Sequence, residues 1–132
     1  MSPRFLADTH IVIRWLTEAK RLSREQIRVL KEAERRAEPV AVSAISLLEI
    51  AALAGTRRLE PSAGTILGVL EADPMFQVLP VTYEIALEVA ALGPALKDPF
   101  DRAIVSTARV HRARLITSDQ RILESNLVAT VE

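Results

Sequence analysis

Short apolar runs of strand length alternate with segments of helical period along the whole chain, and this order restricts the possible folds more than any single motif does. Phe5-Leu6-Ala7 ends at Asp8, after which Ile11, Val12, Trp15 and Leu16 recur at helical spacing. Ser23-Arg24-Glu25-Gln26 has the form of a capping box and opens a helix carrying Ile27, Leu30, Ala33 and Ala37, which Pro39 stops. Val40-Ala41-Val42-Ser43 reads as a buried strand, Ile45 to Ala54 as a helix closed by Gly55, and Pro61 to Ala72 as a helix ended around Asp73-Pro74. A third strand is expected from Phe76 to Val81, followed by a helix capped by Thr82 that carries Ile85, Val89 and Leu92 and ends at Gly93-Pro94. Asp98-Pro99-Phe100-Asp101 opens a helix through Ile104, Val105 and Ala108; Leu115-Ile116-Thr117 is a strand, Asp119 to Glu124 a short helix, and Val128 to Val131 a final strand. Strands separated by helices throughout predict a three-layer α/β/α architecture around a central parallel sheet of four to five strands.

A chain of 132 residues, 49% of them apolar, is expected to form a single domain over residues 1–132. A chain of that length buries about two thirds of its unfolded surface. There is no cysteine, which removes disulfides, thiolate zinc sites and a cysteine nucleophile, and fits a reducing cytoplasm. The longest apolar stretch, Val40 to Ala54, is too short to span a bilayer and contains Glu49, so a soluble protein without a membrane partner is expected. Formal net charge is zero, and any nucleic-acid contact must rest on local patches or bridging metal ions. Aromatic residues make up 4% of the chain, too few for an extended base-stacking platform.

Four acids stand at the junctions of this pattern: Asp8, Glu49, Asp101 and Asp119. In parallel α/β sheets ligands bind beyond the carboxyl ends of the strands. Asp8 and Asp119 follow strands; Asp101 begins a helix that should run antiparallel to the next strand, so its N-terminus lies at the same edge. Glu49 is flanked one turn away by Ile45, Ser46, Ala52 and Leu53, in a helix so apolar that little of its circumference is expected to be wet, and an unpaired carboxylate there is costly. Gathered carboxylates suit a hard cation such as Mg²⁺ or Mn²⁺, which activates water and stabilises a phosphoryl transition state. Taken singly, each acid also has a plain structural role: Asp8 and Asp119 can cap helices, and Asp98 with Pro99 and Asp101 makes a well-started helix. Asp98 is therefore read as the cap and Asp101 as the metal ligand.

Other features point less directly to chemistry. His10 and His111 lack zinc-site spacing, and His10 is read as a packing or hydrogen-bonding residue. Gly64-Thr65-Ile66-Leu67-Gly68 lacks the lysine of a phosphate loop and is read as a close helix contact. Among Arg57, Arg58, Arg102, Arg109, Arg112, Arg114 and Arg121, Arg102 beside Asp101 is the leading phosphate-contact candidate. Thr9, Ser43, Ser46, Thr117 and Ser118 are candidates for orienting the carboxylates.

Leu6-Ala7-Asp8-Thr9-His10, Val42 to Ala51 with Glu49, Asp98-Pro99-Phe100-Asp101-Arg102, and Leu115-Ile116-Thr117-Ser118-Asp119 resemble, in order, the four motifs of PIN-domain ribonucleases, specifically the VapC-type toxins of toxin–antitoxin pairs. The resemblance covers almost the whole chain and extends to Leu79-Pro80-Val81-Thr82. It implies a PIN fold, a Mg²⁺- or Mn²⁺-dependent endoribonuclease, an RNA substrate, a homodimer and a cognate small antitoxin. Asp8, Glu49, Asp101 and Asp119 are then the catalytic and metal-binding acids. An RNA-processing nuclease and a PIN-fold binding module without toxin activity are the alternatives. A phosphohydrolase of haloacid-dehalogenase type calls for a second aspartate where His10 stands, and a receiver domain for a phosphoacceptor aspartate where Val81-Thr82 stands.

Overall fold

The inner strands divide their side chains between two cores, and this division produces the layers. The computed structural model describes residues 2–53 and 62–132. Strands β1 (Phe5–Ala7), β2 (Val40–Ser43), β3 (Phe76–Leu79), β4 (Arg114–Ile116) and β5 (Thr130–Val131) form a sheet in the order β3-β2-β1-β4-β5, with every neighbouring pair parallel. The helices among the described residues are α1 (Thr9–Thr17), α2 (Arg24–Arg35), α3 (Ala44–Leu53), α4 (Ala63–Ala72), α5 (Tyr83–Ala91), α6 (Pro99–His111) and α7 (Gln120–Ser125). Successive strand side chains point to opposite faces. Leu6, Ala41 and Leu115 accordingly enter one core with Ile104, Val105 and Ala108 of α6 and Ile122 of α7. Ala7, Val40, Val42 and Ile116 enter the other, closed by Ile11 and Val12 of α1, Val29 and Leu30 of α2, and Ile66 and Leu70 of α4. The result is the expected three-layer α/β/α arrangement with a five-stranded sheet.

Local chemistry sets the element boundaries. The capping box forms as read: Ser23 Oγ accepts the Gln26 N–H and Gln26 Oε1 accepts the Ser23 N–H. The helix it opens ends at Arg35 and does not run through Ala37, which adopts φ 54°. There the Ala37 N–H donates to Glu34 O and the Glu38 N–H to Ala33 O, so two end carbonyls are satisfied by a left-handed stop that normally uses glycine. Strand β3 stops at Leu79, short of the expected Val81, because Leu79 already pairs with Ser43, where its partner β2 ends and turns into helix. Strand β4 begins and ends one residue earlier than expected, and β5 is limited to Thr130–Val131. Ala54, Gly55, Arg57, Arg58 and Pro61, which entered the sequence reading, lie outside the described residues.

Two expectations are overturned. The Gly64–Gly68 face of α4 is not a close helix contact: an added Cβ would meet only Ser62 Oγ at 4.0 Å from Gly64 and nothing within 4 Å from Gly68. Helix α3 is apolar all round yet only partly covered; Ser46 and Ile50 are buried while Leu48 is 61% exposed. Glu49 is therefore half-buried at a cleft and not enclosed by its own helix.

No helix among the described residues is long and apolar enough to cross a membrane.

Candidate active site

The chain builds β1, β2 and β3 outward in one direction and then returns to lay β4 on the other side of β1. The order therefore reverses between β1 and β4, and the crevice beyond the carboxyl ends of these two strands is the expected ligand position. Asp8 emerges from β1 and Asp119 from the turn after β4. Helix α6 brings Asp101 to the same place at its third residue, and α3 brings Glu49. All four sequence-predicted acids line one open cleft of about 360 Å³, together with Thr9, His10, Ile13, Ala52, Leu53 and Phe100.

The acids on the strand side are held by the fold. Asp8 Oδ1 accepts the Thr9 N–H at 2.8 Å, and Asp8 Oδ2 accepts the Thr117 hydroxyl at 2.7 Å. Thr117 Oγ1 in turn accepts the Asp119 N–H at 3.1 Å. Asp119 Oδ1 accepts the N–H groups of Arg121 and Ile122 and caps α7, so capping and cleft lining coincide at one residue. His10 Nε2 accepts the Ser118 N–H at 2.9 Å, which places the proton of the neutral ring on Nδ1, 3.4 Å from Asp8 Oδ2. Burial pushes the His10 pKa down, opposed by the charge of Asp8, reinforced by Arg14 and opposed again by Asp119. The expectation that His10 is a hydrogen-bonding residue is met.

The helix-borne acids have fewer partners. Glu49 Oε1 accepts the Thr9 hydroxyl at 2.6 Å. Thr9 Oγ1 also lies 2.7 Å from Ser46 Oγ, and with its one proton given to the carboxylate it takes the Ser46 proton. Burial raises the Glu49 pKa; the Thr9 hydrogen bond lowers it, and the charges of Asp8 and Asp98 raise it. Among the described residues, the Asp101 carboxylate accepts no hydrogen bond. Burial first, then the charges of Asp98, Asp119, Asp8 and Glu49, push its pKa up to about 7. Asp98 is the α6 cap, its Oδ1 accepting the N–H groups of Phe100 and Asp101.

Among the described residues, no three acids or histidines already stand close enough to grip an ion. The donor set nevertheless fits a hard cation: the four carboxylates supply oxygen only, they converge on one cleft, and that of Asp101 accepts no hydrogen bond among the described residues.

Three assigned roles change, one of them that of Ser118, whose hydroxyl accepts the Gln26 amide N–H and contacts no carboxylate among the described residues. Arg102 does not face the cleft; its guanidinium donates to Gly93 O, Leu96 O and Val89 O, closing the end of α5. Ser43 Oγ accepts the Ile45 N–H and so starts α3, contacting no carboxylate. Thr9, Ser46 and Thr117 do orient carboxylates, Ser46 through Thr9. Of the remaining basic residues, Arg121 lies beside the site, with Nε 3.9 Å from Asp119 Oδ1. It shares an adjoining groove of about 240 Å³ with Lys97, Asp98 and Asp101. Sequence reasoning missed Lys97 and the exposed Phe100; both follow from their closeness to Asp98 and Asp101 on the chain.

A family model of the PIN domain matches residues 5–125, and the chain belongs to the PIN domain family. Ribonuclease VapC22 of Mycobacterium tuberculosis is 31% identical over 118 residues, covering 89% of this chain and 88% of that protein. Similar folds occur in VapBC2 from Rickettsia felis bound to a promoter DNA fragment (TM-score 0.74, 13% identity, 96% of each chain covered). A toxin–antitoxin complex from Klebsiella pneumoniae also matches, with a TM-score of 0.65, 24% identity and 96% and 95% of the two chains covered.

Proposed function

We propose that this protein is one PIN domain acting as a divalent-cation-dependent endoribonuclease, the toxin of a toxin–antitoxin pair. The observation that carries the reading is the meeting of Asp8, Glu49, Asp101 and Asp119 in one cleft, where the half-buried Asp101 carboxylate accepts no hydrogen bond among the described residues. The relationship to Ribonuclease VapC22 supports RNA as the substrate. Asp8, Glu49 and Asp101 would hold one or two Mg²⁺ or Mn²⁺ ions, with Asp119 completing the site directly or through water. Such a cation, when bound, activates water and neutralises charge developing on the phosphate. Thr117 and Thr9 fix the rotation of Asp8 and Glu49, two of the acids lining the cleft. Lys97 and Arg121, at the rim beside Asp101, supply charge for the RNA backbone on a protein with no net positive field.

The resemblance to a toxin–antitoxin complex supports a small antitoxin as partner. Tyr83 and Leu87, 92% and 71% exposed and one turn apart on α5, with Leu48 on α3, offer apolar surface for a second copy of the chain. The setting is the cytoplasm, where the RNA and the antitoxin are found.

The test is purified protein incubated with labelled structured RNAs in Mn²⁺, Mg²⁺ or EDTA, beside Asp8→Ala and Asp101→Ala. Cutting should require the cation and disappear in both variants; cutting that survives both substitutions would place the active site elsewhere. RNA binding without cutting would instead identify a binding module. A small reading frame beside the gene, whose product co-purifies with the protein and stops cutting, would separate a toxin from an RNA-processing nuclease.

A further inference from the structure

Gln26 does more than its capping box requires. It is fully buried, 0% exposed, and does not line the cleft. Only its Oε1 serves the box, accepting the Ser23 N–H at 3.0 Å. A glutamate offers the same acceptor and is the commoner partner of such a box. The amide nitrogen is spent elsewhere: Nε2 donates to Thr117 O at 3.3 Å and to Ser118 Oγ at 3.0 Å. Those two atoms belong to the turn that carries Asp119 into the cleft. The same turn is gripped from the cleft side by His10 Nε2 on the Ser118 N–H and by the Thr117 hydroxyl, which bridges Asp8 and the Asp119 N–H. The turn is therefore clamped from two sides, and only the α2 side is remote from the chemistry.

We propose that Gln26 is a positioning residue: its amide, anchored by the start of α2, sets the Thr117-Ser118-Asp119 turn and so the place of Asp119 relative to Asp8. The inference rests on the reading of the cleft as a cation-dependent ribonuclease site. It explains why a glutamine stands where capping alone would accept a glutamate. Losing the amide donors frees the turn to shift, moving Asp119 and one end of the Thr117 bridge together, while the substrate-facing surface keeps its composition.

Gln26→Glu separates the two duties, because it keeps the capping acceptor and the side-chain shape but removes the NH₂ group. Ser118→Ala is the milder second variant; Ser118 is exposed, and the change removes one acceptor while leaving the backbone N–H to His10 intact. Mn²⁺ affinity by calorimetry, kcat and KM for RNA cutting, and metal-free melting are measured for both. Removal of a group that orients a metal ligand costs about 10- to 100-fold in affinity or activity. Acting through the turn, Gln26→Glu should weaken Mn²⁺ binding and lower kcat about tenfold with KM unchanged, and Ser118→Ala should do the same to a smaller extent. A lower melting temperature with wild-type Mn²⁺ affinity and kcat would reduce the Gln26 amide to a merely stabilising contact with the turn and overturn the proposal. If Gln26→Glu does not fold, unchanged Mn²⁺ affinity in Ser118→Ala overturns it equally. Failure of the unsubstituted protein to bind Mn²⁺ or cut RNA would sink the underlying reading instead.

Discussion

Asp8 and Asp101 line the same cleft, one on a wall formed by a strand end and the other on a wall formed by a helix start, and are held in opposite ways. Asp8 ends a strand, and its two carboxylate oxygens take the Thr9 N–H and the Thr117 hydroxyl. Asp101 begins a helix whose free N–H groups are served by Asp98, and its own carboxylate accepts no hydrogen bond from the described residues. One wall is finished by the fold. The other is left with charge that the protein does not compensate, and burial with four neighbouring carboxylates raises its pKa. The difference teaches that a site can be half-built by its scaffold, with the remaining half stabilised only by what binds there.

The largest effect expected is on activity, where the two walls should behave alike. Asp8→Asn and Asp101→Asn each remove one anionic oxygen donor and should lower RNA cutting about 1000-fold, equivalent to about 4 kcal/mol. Single-turnover cleavage at saturating Mn²⁺ measures this; near-wild-type cutting by Asp101→Asn would break the pairing of the walls.

Stability should separate them by sign. Asp8→Ala loses two hydrogen bonds and strands the buried Thr117 hydroxyl, and should cost about 2 kcal/mol in urea unfolding. Asp101→Asn removes a charge that burial and its neighbours disfavour, and should raise the stability of the metal-free protein at pH 8. If both variants destabilise equally, the two walls are not differently built.

The pH dependence follows from the same group. With the Asp101 pKa raised from its ordinary 3.8 to about 7, the folded protein retains a proton that the unfolded chain has already released between those values. Fewer protons are then bound in the unfolded state, so this group makes metal-free stability fall as pH rises from about 4 toward 7, and leaves it unaffected below that window. Glu49, also raised, acts in the same direction. A Mn²⁺ ion held by Asp101, as proposed, would have to displace the proton, so its gain in melting temperature should grow up to about pH 7 and then level off. Asp101→Asn should flatten both profiles; a Mn²⁺ gain independent of pH would argue that Asp101 is not a ligand.

The alternation of strand-length and helix-length runs was enough to read the layers, because parallel strands buried on both faces leave that pattern. The four acids were legible for a similar reason: a strand end or a helix start fixes where a side chain emerges. What depends on the far end of a long side chain was not legible. Arg102 sits next to Asp101 in sequence, yet its guanidinium turns back to three carbonyls at the end of α5. Gln26 carried a capping signature that concealed its second duty across the fold. Helix α3 shows the converse error: an apolar circumference does not state how much of it is covered, and Leu48 remains exposed. Ala37 stops α2 at a positive φ that an alanine does not announce.

The smallest effect provides the control for the comparison. Gly68 lies exposed on α4, away from both walls, and an added methyl would meet nothing within 4 Å. Replacing glycine by alanine within a helix removes backbone freedom from the unfolded chain and is worth about 1 kcal/mol. Gly68→Ala should therefore raise the metal-free melting temperature while leaving the Mn²⁺ increment at each pH unchanged. If the increment follows overall stability in this variant as well, Mn²⁺ shifts report the whole fold and cannot distinguish the two walls. If it stays constant, changes seen in the Asp8 and Asp101 variants belong to the cleft.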